Sequence, residues 1–128
     1  MGNELGILAL YGAWVIVVIF AQILVGRVQV GDWALFSPRD EIPKLVGKAG
    51  RMERAQLNSV VAMALFAPAI LILQAKGGFT SATLLAAQIF LIARIIYVPL
   101  YAYGVYVFRT LVWLVGILAT AYLYYVGM

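Results

Sequence analysis

Residues 80–126 read TSATLLAAQIFLIARIIYVPLYAYGVYVFRTLVWLVGILATAYLYYV, and only two of these side chains are charged, Arg94 and Arg109. The segment divides at Gly104 into two apolar runs, 80–103 and 105–126. Each run has about 20–24 residues, which as a helix rising about 1.5 Å per residue matches a hydrocarbon core about 30 Å thick. Backbone groups in lipid must bond within their own segment, so the sequence predicts two transmembrane helices joined by a tight link.

Two further apolar runs precede this segment, at residues 5–26 and 55–75. Of the 128 residues, 66% are hydrophobic and 11% are charged, against roughly 45–50% and 25% in soluble domains. The core of one small water-soluble domain cannot bury so many hydrophobic side chains. We therefore predict a single all-α domain over residues 1–128, an integral membrane four-helix bundle in a lipid bilayer. The first run lacks a basic leader, so we interpret it as a retained span and not as a cleaved signal.

Lysine and arginine indicate the orientation of the bundle. A long polar loop over residues 27–54 carries six of the nine basic side chains, and Arg94 and Arg109 flank the link between the third and fourth spans. The opposite side has only Lys76. By the positive-inside rule, the long loop lies in the cytoplasm and both termini face outward. The expected membrane is the bacterial inner membrane.

The composition excludes several kinds of chemistry. The chain has no cysteine and no histidine, so it lacks a thiolate nucleophile, a disulfide framework and the commonest metal ligand. Apart from Glu4, its acids all lie between positions 32 and 53, which argues against a metal site or a carboxylate proton relay inside the membrane. It also argues against a small multidrug transporter, which needs a membrane carboxylate. A net charge of +4 without a basic run does not indicate nucleic-acid binding.

Polar side chains repeat at helical spacing near the predicted cytoplasmic ends of the spans. The stripes are Arg51, Arg54 and Asn58 in the second span and Arg94, Tyr97 and Tyr101 in the third. Arg109 and Thr110 begin the fourth span, where the helix dipole adds positive potential. Spans one and three end on the side of the membrane where spans two and four begin. These side chains therefore all lie in the same half of the membrane. We predict that they share a polar pocket.

Arg94 is the most informative of these residues. It lies well inside the third span, where an arginine facing lipid costs from about 2.5 to over 10 kcal/mol. No acid in the predicted spans can pair with it, which leaves water, carbonyls, tyrosines, Glu53 near the mouth or an anionic ligand. Guanidinium groups bond carboxylates and phosphates bidentately, so an anion site is predicted. The alternative is that the arginines are topology anchors and the tyrosines form an aromatic belt.

Two stretches carry a resemblance to a known family: GRMERAQLNSVVAMALFAP, residues 50–68, and ARIIYVPLYAYGVYVFRTLVWLVGILAT, residues 93–120. They resemble the MAPEG family, the membrane-associated proteins of eicosanoid and glutathione metabolism, and in particular its small bacterial branch. The resemblance covers nearly the whole chain, including SPRDEIP in the first loop. It implies a homotrimer of four-helix subunits with glutathione bound between neighbouring subunits on the cytosolic side.

The resemblance also implies roles for individual residues. The family motif Arg-Ala-x-x-Asn-x-x-Glu matches Arg54, Ala55 and Asn58. The implied residues for binding glutathione or another anion are Arg54, Asn58, Arg94, Tyr97 and Tyr101. The arginine that stabilises the glutathione thiolate in the family matches Arg109, with Thr110 in the neighbouring hydroxyl position, so these two carry the implied catalytic role.

The chain departs from the family pattern at two positions in the second span. Val61 stands where the family has the glutamate that helps to hold the ligand's ammonium group, and Leu57 stands where catalytic members have a further arginine. An unpaired buried ammonium would cost a few kcal/mol. Either glutathione binds weakly, or the pocket takes another anion such as a fatty acid or a lipid headgroup.

Two functions remain open at this point. The first is a glutathione-dependent transferase or peroxidase that acts on a lipophilic electrophile. The second is a non-catalytic membrane protein that binds lipid or serves as an accessory subunit of a membrane complex. The departures at Val61 and Leu57 favour the second, and the arginine cluster is compatible with both.

Overall fold

The computed structural model describes residues 3–30 and 47–128, and within these ranges it contains four helices and no strand. The helices are α1 (Glu4–Val30), α2 (Gly47–Lys76), α3 (Ser81–Ala102) and α4 (Tyr106–Gly127). All four are long and apolar enough to cross a membrane. The predicted all-α, four-helix membrane architecture is confirmed. The centre of the predicted loop, residues 31–46, lies outside the described residues.

Helix α2 begins earlier than its apolar run. The hydropathy pattern predicts a loop over residues 27–54, whereas α1 continues to Val30 and α2 already begins at Gly47. Hydropathy marks the part of a helix that lies in lipid, but lysine, arginine, methionine and glutamate also form helices well in water. Arg51 and Arg54 therefore lie on a continuous helix with Asn58.

The two short links have defined geometry. Thr80 is the N-cap of α3: its hydroxyl accepts a hydrogen bond from the Thr83 backbone N–H at 3.2 Å, and the Thr83 hydroxyl accepts one from the Thr80 N–H at 2.7 Å. This capping box pairs two backbone donors at the start of α3. The link between α3 and α4 turns at Gly104, whose φ of 73° is a backbone conformation that side chains with a Cβ rarely adopt. Both links join antiparallel neighbours.

Three aromatic rings from three helices form the centre of the core. Phe66 and Phe90 stack with their ring centroids 3.9 Å apart, and Tyr11 meets Phe90 edge-on at 4.9 Å. The Tyr11 hydroxyl donates to the Ser59 carbonyl at 2.7 Å. These contacts join α1, α2 and α3, while large apolar side chains remain exposed on the outer faces of the helices. Apolar side chains on these outer faces suit a bilayer, because lipid tails solvate them.

Helices α1 and α3 are also joined at the end of the bundle opposite Gly104. Glu4 is buried there, with 4% of its surface exposed, and its carboxylate accepts a hydrogen bond from the Thr83 hydroxyl at 2.7 Å. Lys76 donates from Nζ to the Gly127 carbonyl at 2.6 Å and connects the ends of α2 and α4. These polar contacts fix the helix ends relative to one another.

We expect Phe66→Ala to lower the free energy of unfolding by up to about 3 kcal/mol, because it removes a stacked ring and leaves a cavity. Phe108→Ala is the matched control, since Phe108 is 62% exposed and its loss should change the free energy by less than about 0.5 kcal/mol. Unfolding of both variants in detergent micelles would be followed by circular dichroism. Equal effects would contradict the assigned core.

Candidate functional site

Arg94 is buried inside the bundle, with 2% of its surface exposed. Its Nη2 donates a hydrogen bond to the Asn58 side-chain oxygen on α2 at 2.9 Å. Its Cζ lies 4.2 Å from the centroid of the Tyr97 ring, one turn further along α3. An amide oxygen and the face of an aromatic ring both stabilise a guanidinium. Arg94 therefore faces neither lipid nor bulk solvent.

Tyr101 lies between two further arginines from different helices. Arg54 on α2 donates from Nε to the Tyr101 hydroxyl at 3.2 Å. Arg109 on α4 has its Cζ 4.5 Å from the centroid of the same ring. Tyr97 and Tyr101 meet edge-on with their ring centroids 5.6 Å apart. The aromatic pair thus links the three guanidinium groups in one continuous set of contacts.

We call this set the polar cluster; its members are Arg54, Asn58, Arg94, Tyr97, Tyr101 and Arg109. It combines residues of α2, α3 and α4 at the end of the bundle where α3 turns into α4. Its hydrogen bonds and ring contacts described above all go to neutral groups, so they leave the positive charge in place. Three guanidinium groups held this way form a suitable environment for an anion.

Two residues predicted to share the polar pocket, Thr110 and Arg51, are not included in these contacts. The Thr110 side chain is exposed, and its hydroxyl donates to the Tyr106 carbonyl of its own helix at 3.0 Å. Consecutive helical residues point about 100° apart. Adjacency to Arg109 in sequence therefore did not bring Thr110 into the cluster.

Arg51 has a structural contact that the sequence did not indicate. Its Nε donates to the Ala102 carbonyl at 2.8 Å, at the C-terminal end of α3. The carbonyls at a helix end lack partners within the helix, so a guanidinium there satisfies one of them. The spacing from Arg51 to Arg54 was visible in the sequence, but a backbone carbonyl leaves no sequence signal by which to identify it as a partner.

A cavity of about 140 Å³ adjoins the polar cluster between α2, α3 and α4. Asn58 and Arg94 form its polar part, and most of its remaining wall is apolar; the wall residues include Val61, Leu65, Phe90, Trp113, Gly116, Ile117 and Thr120. Val61, which the resemblance matches to a glutamate of the family motif, thus lines the same cavity as Arg94. The sequence gives no signal for the cavity at Gly116 or Ile117, since nothing in their residue type indicates a cavity wall.

One comparison with known proteins gives a match. A family model described as the MAPEG family matches residues 7–128, nearly the whole chain. No curated protein and no solved structure matches the chain.

We expect Asn58→Leu to lower the free energy of unfolding by about 1–3 kcal/mol, because it leaves a buried guanidinium N–H without its acceptor. Leu57→Ala is the control, since the neighbouring Leu57 is 56% exposed and should change the value by less than about 0.5 kcal/mol. Thermal unfolding in one detergent would compare the two. If Asn58→Leu were as stable as the control, the hydrogen bond to Arg94 would not be a structural support.

Proposed function

The chain belongs to the MAPEG family, and on that premise we propose that it is a glutathione-dependent transferase or peroxidase acting on lipophilic electrophiles. The observation that carries this proposal is the convergence of Arg54, Arg94 and Arg109 from three helices on one aromatic pair. Proteins of this family generally use glutathione, a tripeptide with two carboxylates. A cluster of guanidinium groups is chemically matched to such a ligand.

Each member of the polar cluster has a role in this proposal. Arg54 and Arg94 bind the carboxylates of glutathione, and Asn58 bonds its amide groups. Tyr97 and Tyr101 orient the peptide. Arg109 lies close to the start of α4 at Tyr106, so its own charge and the positive helix end together lower the pKa of the glutathione thiol. The thiol proton leaves to water, and the thiolate sulfur bonds to the electrophilic carbon while the bond from that carbon to its leaving group breaks, as in chlorodinitrobenzene, which releases chloride.

The lipophilic substrate reaches this thiolate from the bilayer. Exposed apolar side chains on α2, among them Leu57 and Val61, lie one turn or less from Asn58 and give the approach to the site a hydrocarbon surface. We further propose that the subunits form a homotrimer. Glutathione would then lie between neighbouring subunits, as the family resemblance implies.

A second candidate function is supported by Val61. Its side chain offers no charge to the ammonium group of glutathione, so the ligand would lose a partner that the family supplies. A non-catalytic member that binds lipid or joins a larger membrane complex does not need that partner. Under this candidate the polar cluster binds an anionic headgroup and no turnover occurs.

We propose that the polar cluster lies on the cytoplasmic side of a bacterial inner membrane, with both termini outside. The chain has no cysteine, so single cysteines can report the sidedness. Tyr103→Cys, at the link between α3 and α4, should react with a membrane-impermeant maleimide only after cell lysis. Met128→Cys, 93% exposed at the opposite end, should react in intact cells. The reverse labelling pattern would contradict this orientation.

We expect millimolar glutathione to produce a thiolate absorbance in the ultraviolet when it is added to the purified protein. Arg109→Ala should raise the pKa of the bound thiol by about one unit or more and so reduce the thiolate by up to about tenfold at neutral pH. Arg51→Gln is the control, because Arg51 is bonded to a carbonyl outside the polar cluster; this variant should keep the signal.

Turnover of chlorodinitrobenzene should be retained in Arg51→Gln and reduced in Arg109→Ala, as expected for the thiolate absorbance. A wild-type protein that gave neither the thiolate absorbance nor turnover would overturn the enzymatic proposal and favour the non-catalytic candidate. Loss of both signals in Arg51→Gln as well would mean that the effect is not specific to Arg109.

A further inference from the structure

We propose that two copies of this chain associate in the membrane through the outer face of α3, with Gln88 of each copy hydrogen-bonded to Gln88 of the other. The contact has two-fold symmetry about an axis along the membrane normal. It uses a different face of the bundle from the polar cluster and does not depend on what that cluster binds.

Gln88 places a polar group on a surface that faces lipid. Its side chain is exposed, and no hydrogen bond within residues 3–30 and 47–128 uses its amide. Gln88 lies seven residues after the start of α3 at Ser81, about 10 Å along the helix, so its amide is at the depth of the hydrocarbon core. Lipid tails offer an amide no partner, which is costly. A hydrogen bond from a second helix removes that cost.

Other amide side chains of the helices lie in environments that account for them. Asn58 accepts a hydrogen bond from Arg94, and Gln22 is buried within the bundle. Gln74 is exposed, but it lies two residues before the end of α2 at Lys76, where water reaches the helix end. Gln88 differs from them because it combines exposure with depth in the membrane.

Gln88 belongs to a stripe of exposed side chains with the spacing of a coiled-coil seam. The members recur at alternating intervals of four and three residues along α3. They are Ser81, Leu85, Gln88, Ile92, Ile95 and Pro99, and we call them the α3 stripe. Helices with such a repeat pack against one another along the seam. A single polar residue within an apolar seam fixes the register of the two helices.

A groove next to the α3 stripe can receive side chains of the second helix. It lies between α3 and α4 and has a volume of about 260 Å³. Its walls are Ile89, Ile92, Ala93, Ile96, Val112 and Val115. Ile92 is common to the groove and the stripe. These wall residues are all apolar, so the groove accepts apolar side chains, and close packing of this kind drives helix association in lipid.

A second copy of the chain supplies the partner that Gln88 needs. Copies of one chain insert with the same orientation, so their α3 helices run parallel across a two-fold axis. The axis brings the two Gln88 side chains together at the same depth. Each glutamine amide has an acceptor oxygen and two N–H donors. The two amides therefore satisfy each other, and the contact requires no further polar residue.

The α3 stripe faces away from the polar cluster. Consecutive helical residues point about 100° apart, so Ile92 and Arg94, two residues apart, point in nearly opposite directions. Their exposed fractions agree with this, at 58% and 2%. The homotrimer proposed above has glutathione between its subunits, on the side of the polar cluster. The α3 contact is thus an additional one, and in such an assembly it would join one trimer to the next.

The test is oxidative cross-linking of the full-length chain in phosphatidylcholine liposomes. The chain has no cysteine, so Ile92→Cys reports on the α3 stripe, and Ile16→Cys on α1 is the matched control. These positions are 58% and 56% exposed and lie about 17 Å and 18 Å along their helices from Ser81 and Glu4. A disulfide requires the two Cα atoms to be within about 7 Å. With copper phenanthroline, Ile92→Cys should form a linked dimer at least about tenfold faster than Ile16→Cys.

Substitutions at Gln88 test the hydrogen bond itself. In the Ile92→Cys chain, Gln88→Leu should slow cross-linking about tenfold, because the amide pair is lost. Gln88→Asn keeps an amide and should stay within about threefold of the parent. Gln74→Leu removes an exposed amide at the water boundary and should leave the rate unchanged. Matching circular dichroism and size-exclusion profiles would establish that these variants fold alike.

Cross-linking of Ile92→Cys that was no faster than that of Ile16→Cys would overturn the proposal and assign the α3 stripe to a helix of another membrane protein. Equal rates for Gln88→Leu and Gln88→Asn would also overturn it, because association would not depend on the amide. The glutathione thiolate absorbance depends on Arg109 and is an independent readout. Its presence or absence does not alter the cross-linking expected here.

Discussion

A hydrocarbon interior cannot solvate a guanidinium group, and the arrangement of this bundle follows from that constraint. Arg94 is placed inside a span by its sequence, so the fold must supply partners that lipid does not. It does so with the Asn58 amide oxygen from α2 and the Tyr97 ring from α3. The hydrogen bond from Arg94 to Asn58 thus adds to the packing of α2 against α3. Both of these partners are neutral groups and do not neutralise the charge, so Arg94 can support the fold and also attract an anion.

The sequence was sufficient to predict the four-helix membrane architecture, because hydropathy over about twenty residues identifies membrane spans directly. It also grouped the members of the polar cluster correctly in space, since residues three and four apart share a helical face. Thr110 and Arg51 were exceptions: the Thr110 hydroxyl bonds its own helix and the Arg51 guanidinium bonds the end of α3. Spacing alone cannot tell where a residue near a site residue points. Two partners had no sequence signal at all, the Ala102 carbonyl of Arg51 and the Thr83 hydroxyl of Glu4.

Family membership and the chain's own departures from the family pattern bear on different parts of the site. The contacts around Tyr101 join Arg54 and Arg109, in keeping with the residues that the family resemblance assigns to glutathione. The cavity beside Arg94, in contrast, carries valine at the glutamate position and has largely hydrocarbon walls. A ligand with both a peptide-like anionic part and a lipid part would engage both regions. Binding measurements that treat the two regions separately are therefore more informative than turnover alone.

The turn at Gly104 fixes the rotational phase of α4 relative to α3. Its φ of 73° and the hydrogen bond from the Val105 N–H to the Leu100 carbonyl at 2.9 Å leave little freedom in how α4 begins. One inserted or deleted residue would rotate every α4 side chain by about 100°. Arg109 would then leave the Tyr101 ring and point towards acyl chains. The length of this connection is consequently as much a determinant of the site as the identity of any residue in it.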